Sequence, residues 1–270
     1  MSTKNIIHPS AIVAPTAKLG TNVSIGAYSI VGENVILENN VTLKSHVCVE
    51  GHTIIGEGTI IYPFAAIGTA PQDLKYAGEE SRLIVGKNCS IREHVTMHTG
   101  TKDGGMETRT GDNCLFMVGV HLAHDCTIGN NVIMANNATL GGHVVVGNNV
   151  LIGGLSAVHQ FIRIGDFAVI GGMSGVESDV IPYGRVKGER ASLAGLNIIG
   201  LERSGFERAD VRIMQKAFTQ LFSDKNTLDK RIKEVENDFS ENESVQKIIE
   251  FAKVKSRFPL CQPQKQKKAS

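Results

Sequence analysis

Residues 121–132, HLAHDCTIGNNV, put two imidazoles and a carboxylate into a chain otherwise rich in glycine, asparagine and aliphatics. His124 followed by Asp125 is a base beside a group that can fix its tautomer and orientation. Six of the nine histidines, His94, His98, His121, His124, His143 and His159, fall between residues 94 and 159. No serine or cysteine stands beside them as an obvious nucleophile. That favours direct attack of a substrate hydroxyl or amine, deprotonated by His124, on an activated acyl group. Metal chemistry is a second reading, with His94 and His98, or His121 and His124, as zinc ligands of a hydrase. A non-catalytic solenoid scaffold is a third.

The elements that carry these residues follow from a six-residue period. Val13, Leu19, Ile25, Val31, Leu37, Leu43, Val49, Ile55, Ile61 and Ile67 are spaced by six. The period resumes at Val85, Ile91 and Met97, and again from Phe116 to Val176. Such a hexapeptide repeat predicts an all-β solenoid, a parallel β-helix. Slot one is a bulky aliphatic for the interior. Slots two to four offer Gly, Asn and Asp for corners with left-handed backbone. Slot five is small, as at Val23, Ser29, Ala65 and Ala138, and takes Cys89, Cys114 and Cys126 as buried hydrophobes. Three hexads make one triangular coil. Residues 18 apart therefore stack about 4.8 Å from each other, the spacing of neighbouring strands. That map puts Gly142 directly above His124, with His143 beside it. A bare backbone N–H at Gly142 can then face an oxyanion formed next to His124.

The period breaks twice, at 69–84, which carries Gln72, Asp73 and Lys75, and at 99–110. Loops interrupting a rigid solenoid are where function is grafted. The β-helix with these loops is expected over 1–190, and an α-helical domain over 191–256. Apolar stripes there run through Val211, Met214, Phe218 and Leu221, then Leu228, Ile232, Val235 and Phe239, then Val245, Ile248, Ile249 and Ala252. Ser240 and Glu243 read as a capping box for the last helix. Residues 257–270, ending in PQKQKKAS, read as a disordered tail.

Charge is balanced, 28 basic against 27 acidic residues, so no field draws the chain to nucleic acid or to a membrane surface. There is no apolar run of membrane-spanning length and no signal peptide pattern. Five scattered cysteines fit a reducing cytoplasm. Flat faces of small aliphatics favour side-by-side association, and a cyclic trimer is expected.

The stretches QDLKYAGE, IREHVTMHTGT, HLAHDCTIGN, AVHQFIRIG and GLNIIGLERSGF together resemble the acyl-carrier-protein-dependent UDP-N-acetylglucosamine acyltransferases of lipid A biosynthesis, over about residues 6–255. The resemblance implies a left-handed parallel β-helix trimer, with active sites between subunits. It implies transfer of a (3R)-3-hydroxyacyl chain from acyl carrier protein to the sugar's 3-position, with no metal and no cofactor beyond the thioester co-substrate. His124 would be the general base, Asp125 its support and the Gly142 amide the oxyanion donor. Asp73, with Gln72 and Lys75, would bind the acylated sugar. His121, His143, His159 and Gln160 would line the nucleotide and acyl grooves. Asn197 and Arg203 would contact the uridine diphosphate. Many members carry an acidic residue where Ile199 stands and a basic one where Ser204 stands, so this chain departs there. Gly172 matches a chain-length position and, as glycine, implies a long acyl chain. A related N-acyltransferase carries an additional N-terminal domain, whereas the hexads here begin by about residue 12. Some members acylate a 3-amino sugar, and the choice between ester and amide stays open. Arg163 and Arg185 are candidates for a basic rim facing the acidic carrier protein.

Overall fold

The computed structural model describes residues 4–264. They form a left-handed parallel β-helix with a C-terminal group of helices. Each hexad contributes a strand of two to four residues, and strands three apart in sequence order pair in parallel. The first face starts Ile6–Ile7, Ser24–Ile25 and Thr42–Leu43. The second starts Ile12–Val13, Ile30–Val31 and Cys48–Val49. The third starts Lys18–Leu19, Ile36–Leu37 and His52–Ile55. The first coil is open, and Ile6 and Ile12 at that end are exposed.

The slot rule holds in the interior. Slot-one residues such as Ile25, Leu43, Ile61, Leu122 and Ile152 are buried, and slot-five residues such as Val23, Cys126 and Ala138 close the core beside the corners. Removing one such aliphatic to alanine typically costs 2–5 kcal/mol, because a stacked coil has little room to collapse. At the corners the sequence expectation needs widening. The left-handed residue is in slot four, and besides Asn22, Asn40 and Asn131 it is often bulky: Tyr28, His46, Phe64, His94, Phe161 and Phe167 all have positive φ. On the corner between the first and second faces, Tyr28, His46, Phe64 and His94 stack at 5.1–5.2 Å. Ring contact from coil to coil offsets the strain of a left-handed β-carbon, about 1–2 kcal/mol per residue.

Both interruptions leave the corner between the second and third faces. The first loop spans 70–81, between strands Ala66–Thr69 and Arg82–Val85, so Arg82 onward is already sheet. The second follows strand Thr96–His98, makes one 3₁₀ turn at Lys102–Gly104, and returns as strand Glu107–Thr110. The loops thus occupy 70–81 and 99–106. The Glu79 carboxylate ties them together by accepting from the Lys102 N–H at 3.0 Å.

Beyond the last coil, a short helix not expected from the periodicity, α1 (Ile198–Arg203), precedes α2 (Arg208–Leu221), α3 (Leu228–Asp238) and α4 (Glu243–Lys253), which follow the expected stripes. Two readings need correction. The N-cap of α4 is Asn242, whose side chain accepts from the Val245 N–H at 3.0 Å, rather than Ser240. Residues 257–264 are an ordered strap rather than a tail. Leu260 and Cys261 are buried, Leu260 bridges to Asp179, and Pro263 bridges to Leu193. Residues 265–270 lie outside the described residues.

Candidate active site

His124 and Asp125 are slots three and four of one turn at the corner between the second and third faces. Asp125 takes the left-handed slot, φ 60°. Its carboxylate is almost wholly buried and fully committed. Oδ1 accepts the Thr101 N–H at 2.9 Å; Oδ2 accepts the Thr101 hydroxyl at 2.6 Å and His124 Nδ1 at 2.8 Å. The Asp125 N–H donates to Thr108 Oγ1 at 2.7 Å. Because the partner is a carboxylate, Nδ1 carries the proton and Nε2 is left as the acceptor facing the cleft. The second loop therefore has a definite task, which is to hold Asp125. Gly104 is part of it: a β-carbon there would fall 1.9 Å from Asp125 Cγ.

Gly142 is the next corner position up, and the His124 ring lies against it. A β-carbon at 142 would sit 2.6 Å from His124 Cε1 and 2.7 Å from Nε2. The glycine is needed for this close approach, since its φ is not left-handed. Its neighbour His143 donates its N–H to the His124 carbonyl at 3.0 Å. The Gly142 N–H itself has no acceptor among the described residues. A base with a free Nε2 and an undonated amide thus occupy one spot.

A cleft of about 820 Å³ opens here, with Gln72, Asp73 and Lys75 on one wall and His143, Gln160 and Arg257 on the other. Asp73 Oδ2 is 3.9 Å from His124 Nε2. Lys75 Nζ reaches Asp103 Oδ2 of the second loop at 3.5 Å. An adjoining recess of about 440 Å³ is lined by His98, His121, His159 and Gly142. Burial lowers the His121 pKa, and nearby His98 adds to it. Burial also lowers that of His143; the charges of His124 and Arg257 act in the same direction, and those of Asp125 and Asp73 oppose it. Both shifts favour the neutral ring. His98 is buried, with Nδ1 held at 2.7 Å from the Ala70 carbonyl and at 3.0 Å from Thr69 Oγ1. Its Nε2 has no partner among the described residues. Cys126 points into the core, where burial pushes its thiol up to about 12, so it is no nucleophile.

The histidines of the metal reading do not group as that reading needs. His94 stacks on Phe64 at a different corner. The donors that do converge are His124, Asp125 and His143, within 4.8 Å of one another.

Three residues named for the sugar nucleotide and the acyl chain lie away from His124 within this chain. Asn197 and Arg203 line a separate cleft of about 780 Å³, walled by Ile133, Leu151 and Arg185 of the first face. Asn197 caps α1 through the Gly200 N–H and donates to the Phe167 carbonyl. Ile199 and Ser204 line the same cleft. Gly172 is at the corner between the first and second faces, next to exposed Met173, where a β-carbon would meet the Gly154 carbonyl oxygen at 3.3 Å. Arg163 is not a free rim cation. It is paired with fully buried Asp179 at 2.8 Å and stacked on Phe251.

The sequence reading missed Thr101, Thr108, Phe161, Arg257 and Phe258. The signal for the last two was the apolar FPLC inside an assumed tail, since a disordered segment has no use for buried Leu260 and Cys261.

Comparison with known proteins places this geometry. Residues 179–261 match the family model described as UDP N-acetylglucosamine O-acyltransferase, domain 2, and residues 107–142 match the bacterial transferase hexapeptide. Residues 1–102 match the GMPPB C-terminal domain model. The chain is 47% identical over 209 residues to the acyl-[acyl-carrier-protein]–UDP-N-acetylglucosamine O-acyltransferase of Bartonella henselae, covering 77% of this chain and 76% of that one. It is 43% identical over 209 residues to that of Rhizobium etli, with 77% of each covered. The solved UDP-N-acetylglucosamine O-acyltransferase of Moraxella catarrhalis superposes with a TM-score of 0.92 at 38% identity, over 95% of this chain and 99% of that one. That of Campylobacter jejuni gives 0.90 at 37% identity, over 96% and 100%. At these identities and coverages, this chain belongs to the acyl-[acyl-carrier-protein]–UDP-N-acetylglucosamine O-acyltransferase family.

Proposed function

We propose that the protein transfers a (3R)-3-hydroxyacyl chain from acyl carrier protein to the 3-hydroxyl of UDP-N-acetylglucosamine, the opening step of lipid A biosynthesis. The observation that carries the reading is His124 lying against Gly142, with Asp125 locked behind it and the Gly142 N–H undonated. His124 Nε2 takes the proton of the sugar hydroxyl as its oxygen attacks the thioester carbonyl. The oxyanion receives the Gly142 N–H. Collapse expels the carrier's thiolate, to which His124 returns the proton, giving ester and thiol. No acyl-enzyme forms. Asp73, Gln72 and Lys75 hold the acyl 3-hydroxyl and the sugar. His98 Nε2, a buried acceptor without a donor, takes one sugar O–H.

The functional unit is a homotrimer. Within one chain, Asn197, Arg203 and Gly172 are on surfaces remote from the His124 corner. A neighbouring copy brings its own Asn197 and Arg203 to the diphosphate, and its Gly172 to the end of the acyl groove. Among the described residues no helix is long and apolar enough to cross a membrane. The test offers purified protein a mixture of 3-hydroxyacyl carrier thioesters, with the 3-hydroxy and 3-amino sugar nucleotides together, and reads the products by mass spectrometry. A long-chain 3-O-ester is expected. No acyl sugar nucleotide would sink the reading, amide alone would move the acceptor atom, and a sharp C10 preference would remove the role given to Gly172.

The convergence of His124, Asp125 and His143 favours one other reading, a metal-dependent hydrase. The Asp125 carboxylate already accepts three hydrogen bonds, which leaves it little capacity to ligate. Stoichiometric zinc in the purified protein, with activity lost on chelation, would establish the metal reading.

A further inference from the structure

The strap brings a cation into the active-site cleft. Three backbone hydrogen bonds hold the strap: Asp179 N–H to the Pro259 carbonyl at 2.9 Å, Cys261 N–H to the Asp179 carbonyl at 2.7 Å, and Leu193 N–H to the Gln262 carbonyl at 2.9 Å. Asp179 is in turn clamped by Arg163. The strap's start is therefore fixed over the last coil at the His124 corner. Phe258 meets His159 edge-on at 5.2 Å. The Arg257 guanidinium lies over the Phe161 ring, 4.1 Å from its centroid. Phe161 in turn stacks flat on His143, at 4.3 Å and 4°. The edge of His143 meets His124 at 5.0 Å and 89°. No carboxylate among the described residues is within ion-pair distance of Arg257.

The column ends at a contest for one carboxylate. Asp125 Oδ2 is 2.8 Å from His124 Nδ1 and 3.8 Å from His143 Nδ1. A protonated His143 would draw Asp125 towards itself and set a second cation against the general base. Among the described residues, the charged or titratable groups facing His143 are Asp125 and His124 on the corner, Asp73 on the first loop, and Arg257 on the strap. The two carboxylates favour an imidazolium there. Among the described residues, Arg257 is the permanent cation against it.

We propose that Arg257 is a positioning residue of the acyl-transfer site: through Phe161 it clamps the His143 ring, and its charge reserves Asp125 for His124. This rests on His124 being the general base. Burial lowers the His143 pKa, and the Arg257 charge acts in the same direction.

The test compares Arg257→Met, which keeps a chain over Phe161 and removes the charge, with Arg257→Lys, which keeps the charge. Histidine ring resonances followed through pH by NMR report His143 directly, without turnover. The Met variant should protonate His143 at higher pH than the unaltered protein, and the Lys variant should restore most of the difference. In kcat/KM, the acid limb of the Met variant should move to higher pH, so that its loss is at least about threefold greater at pH 6 than at pH 8. An unshifted His143 titration, a loss equal at all pH, or a Lys variant behaving like Met would each overturn the proposal. The NMR result stands apart from the acyl-transfer reading, which fails instead if His124→Ala retains turnover.

Discussion

Two corners of the same prism, built from the same hexad, end in opposite states. On the corner between the third and first faces, the slot-three N–H of five coils is closed by an Asn or Asp side chain of the next coil, Lys87 to Asp112 among them. Thr21 donates to Asn39 Oδ1, Asp112 to Asn130, Asn130 to Asn148 and Asn148 to Asp166, all at 2.7–2.9 Å. From Asp112 to Asp166 this Asn/Asp ladder is continuous at an eighteen-residue spacing. On the corner between the second and third faces, slot three holds His124, Gly142 and Gln160 in successive coils. There the amide of Gly142 is not capped from above. The backbone is equivalent and the corner side chains differ. The site lies where, among the described residues, the slot-three ladder is left unpaired, at His124, Gly142 and Gln160, with a base placed among those amides. The left-handed slot beside it changes with it, from Asn on the closed corner to Asp125, His143 and Phe161 on the open one.

Removing the base should give the largest effect. His124→Ala should lower kcat by at least about a hundredfold with carrier thioester and sugar nucleotide, the usual range for a general base. Near-normal turnover would mean that the open corner is not where chemistry occurs. Gly142→Ala comes next. It keeps the N–H, but its methyl would lie 2.6 Å from the His124 ring and must push it aside. A loss of roughly ten- to a hundredfold, mainly in kcat, is expected from displacing the base relative to its oxyanion donor. Unchanged kinetics would show that the contact between ring and glycine has no bearing on catalysis.

The ladder comparison also separates what was legible in the sequence from what was not. The coil was legible because each slot answers a local demand: bulk inside at Ile25 or Leu122, a small residue at Ala138, a left-handed corner at Asn131. Stacking by eighteen then placed Gly142 over His124 without any coordinates. The helices were legible by periodicity, although the cap of α4 shifted from Ser240 to Asn242, because Ser240 and Asn242 are both acceptable caps and spacing alone does not choose between them. The partners of Asp125 were not legible. Thr101 and Thr108 reach it across an interruption of the period, where the eighteen-residue rule has no force. Arg257 was hidden for a different reason. Its strap is held by single bridges to Asp179 and Leu193, remote in sequence, and leaves no periodic trace. Asn197, Arg203 and Gly172 were named from family likeness alone, and one chain by itself does not bring them to His124.

The comparison can be broken on purpose. Gln160 is the residue above Gly142 where the closed corner has Asn or Asp. Gln160→Asn should let the shorter amide accept the Gly142 N–H, as Asn148 accepts that of Asn130. Closing the rung should lower kcat about tenfold, the worth of one hydrogen bond of about 1.4 kcal/mol redirected from the transition state. Thermal stability should be unchanged or raised. Full activity would mean that the Gly142 amide is not the oxyanion donor.

The smallest effect is expected where the ladder is already closed. Asn148→Ala removes the acceptor for the Asn130 N–H, while the Asn148 N–H keeps its bond to Asp166 Oδ1. The freed Asn130 amide is on an exposed turn and can turn to water instead. The cost should therefore be near the lower end for a protein hydrogen bond, about 0.5–1 kcal/mol in unfolding, with kcat and KM unchanged. A fall in kcat on the scale of Gln160→Asn would show that the two corners communicate. The division between a closed structural ladder and an open catalytic one would then be wrong, because strain in one rung would be reaching His124 through the coil itself.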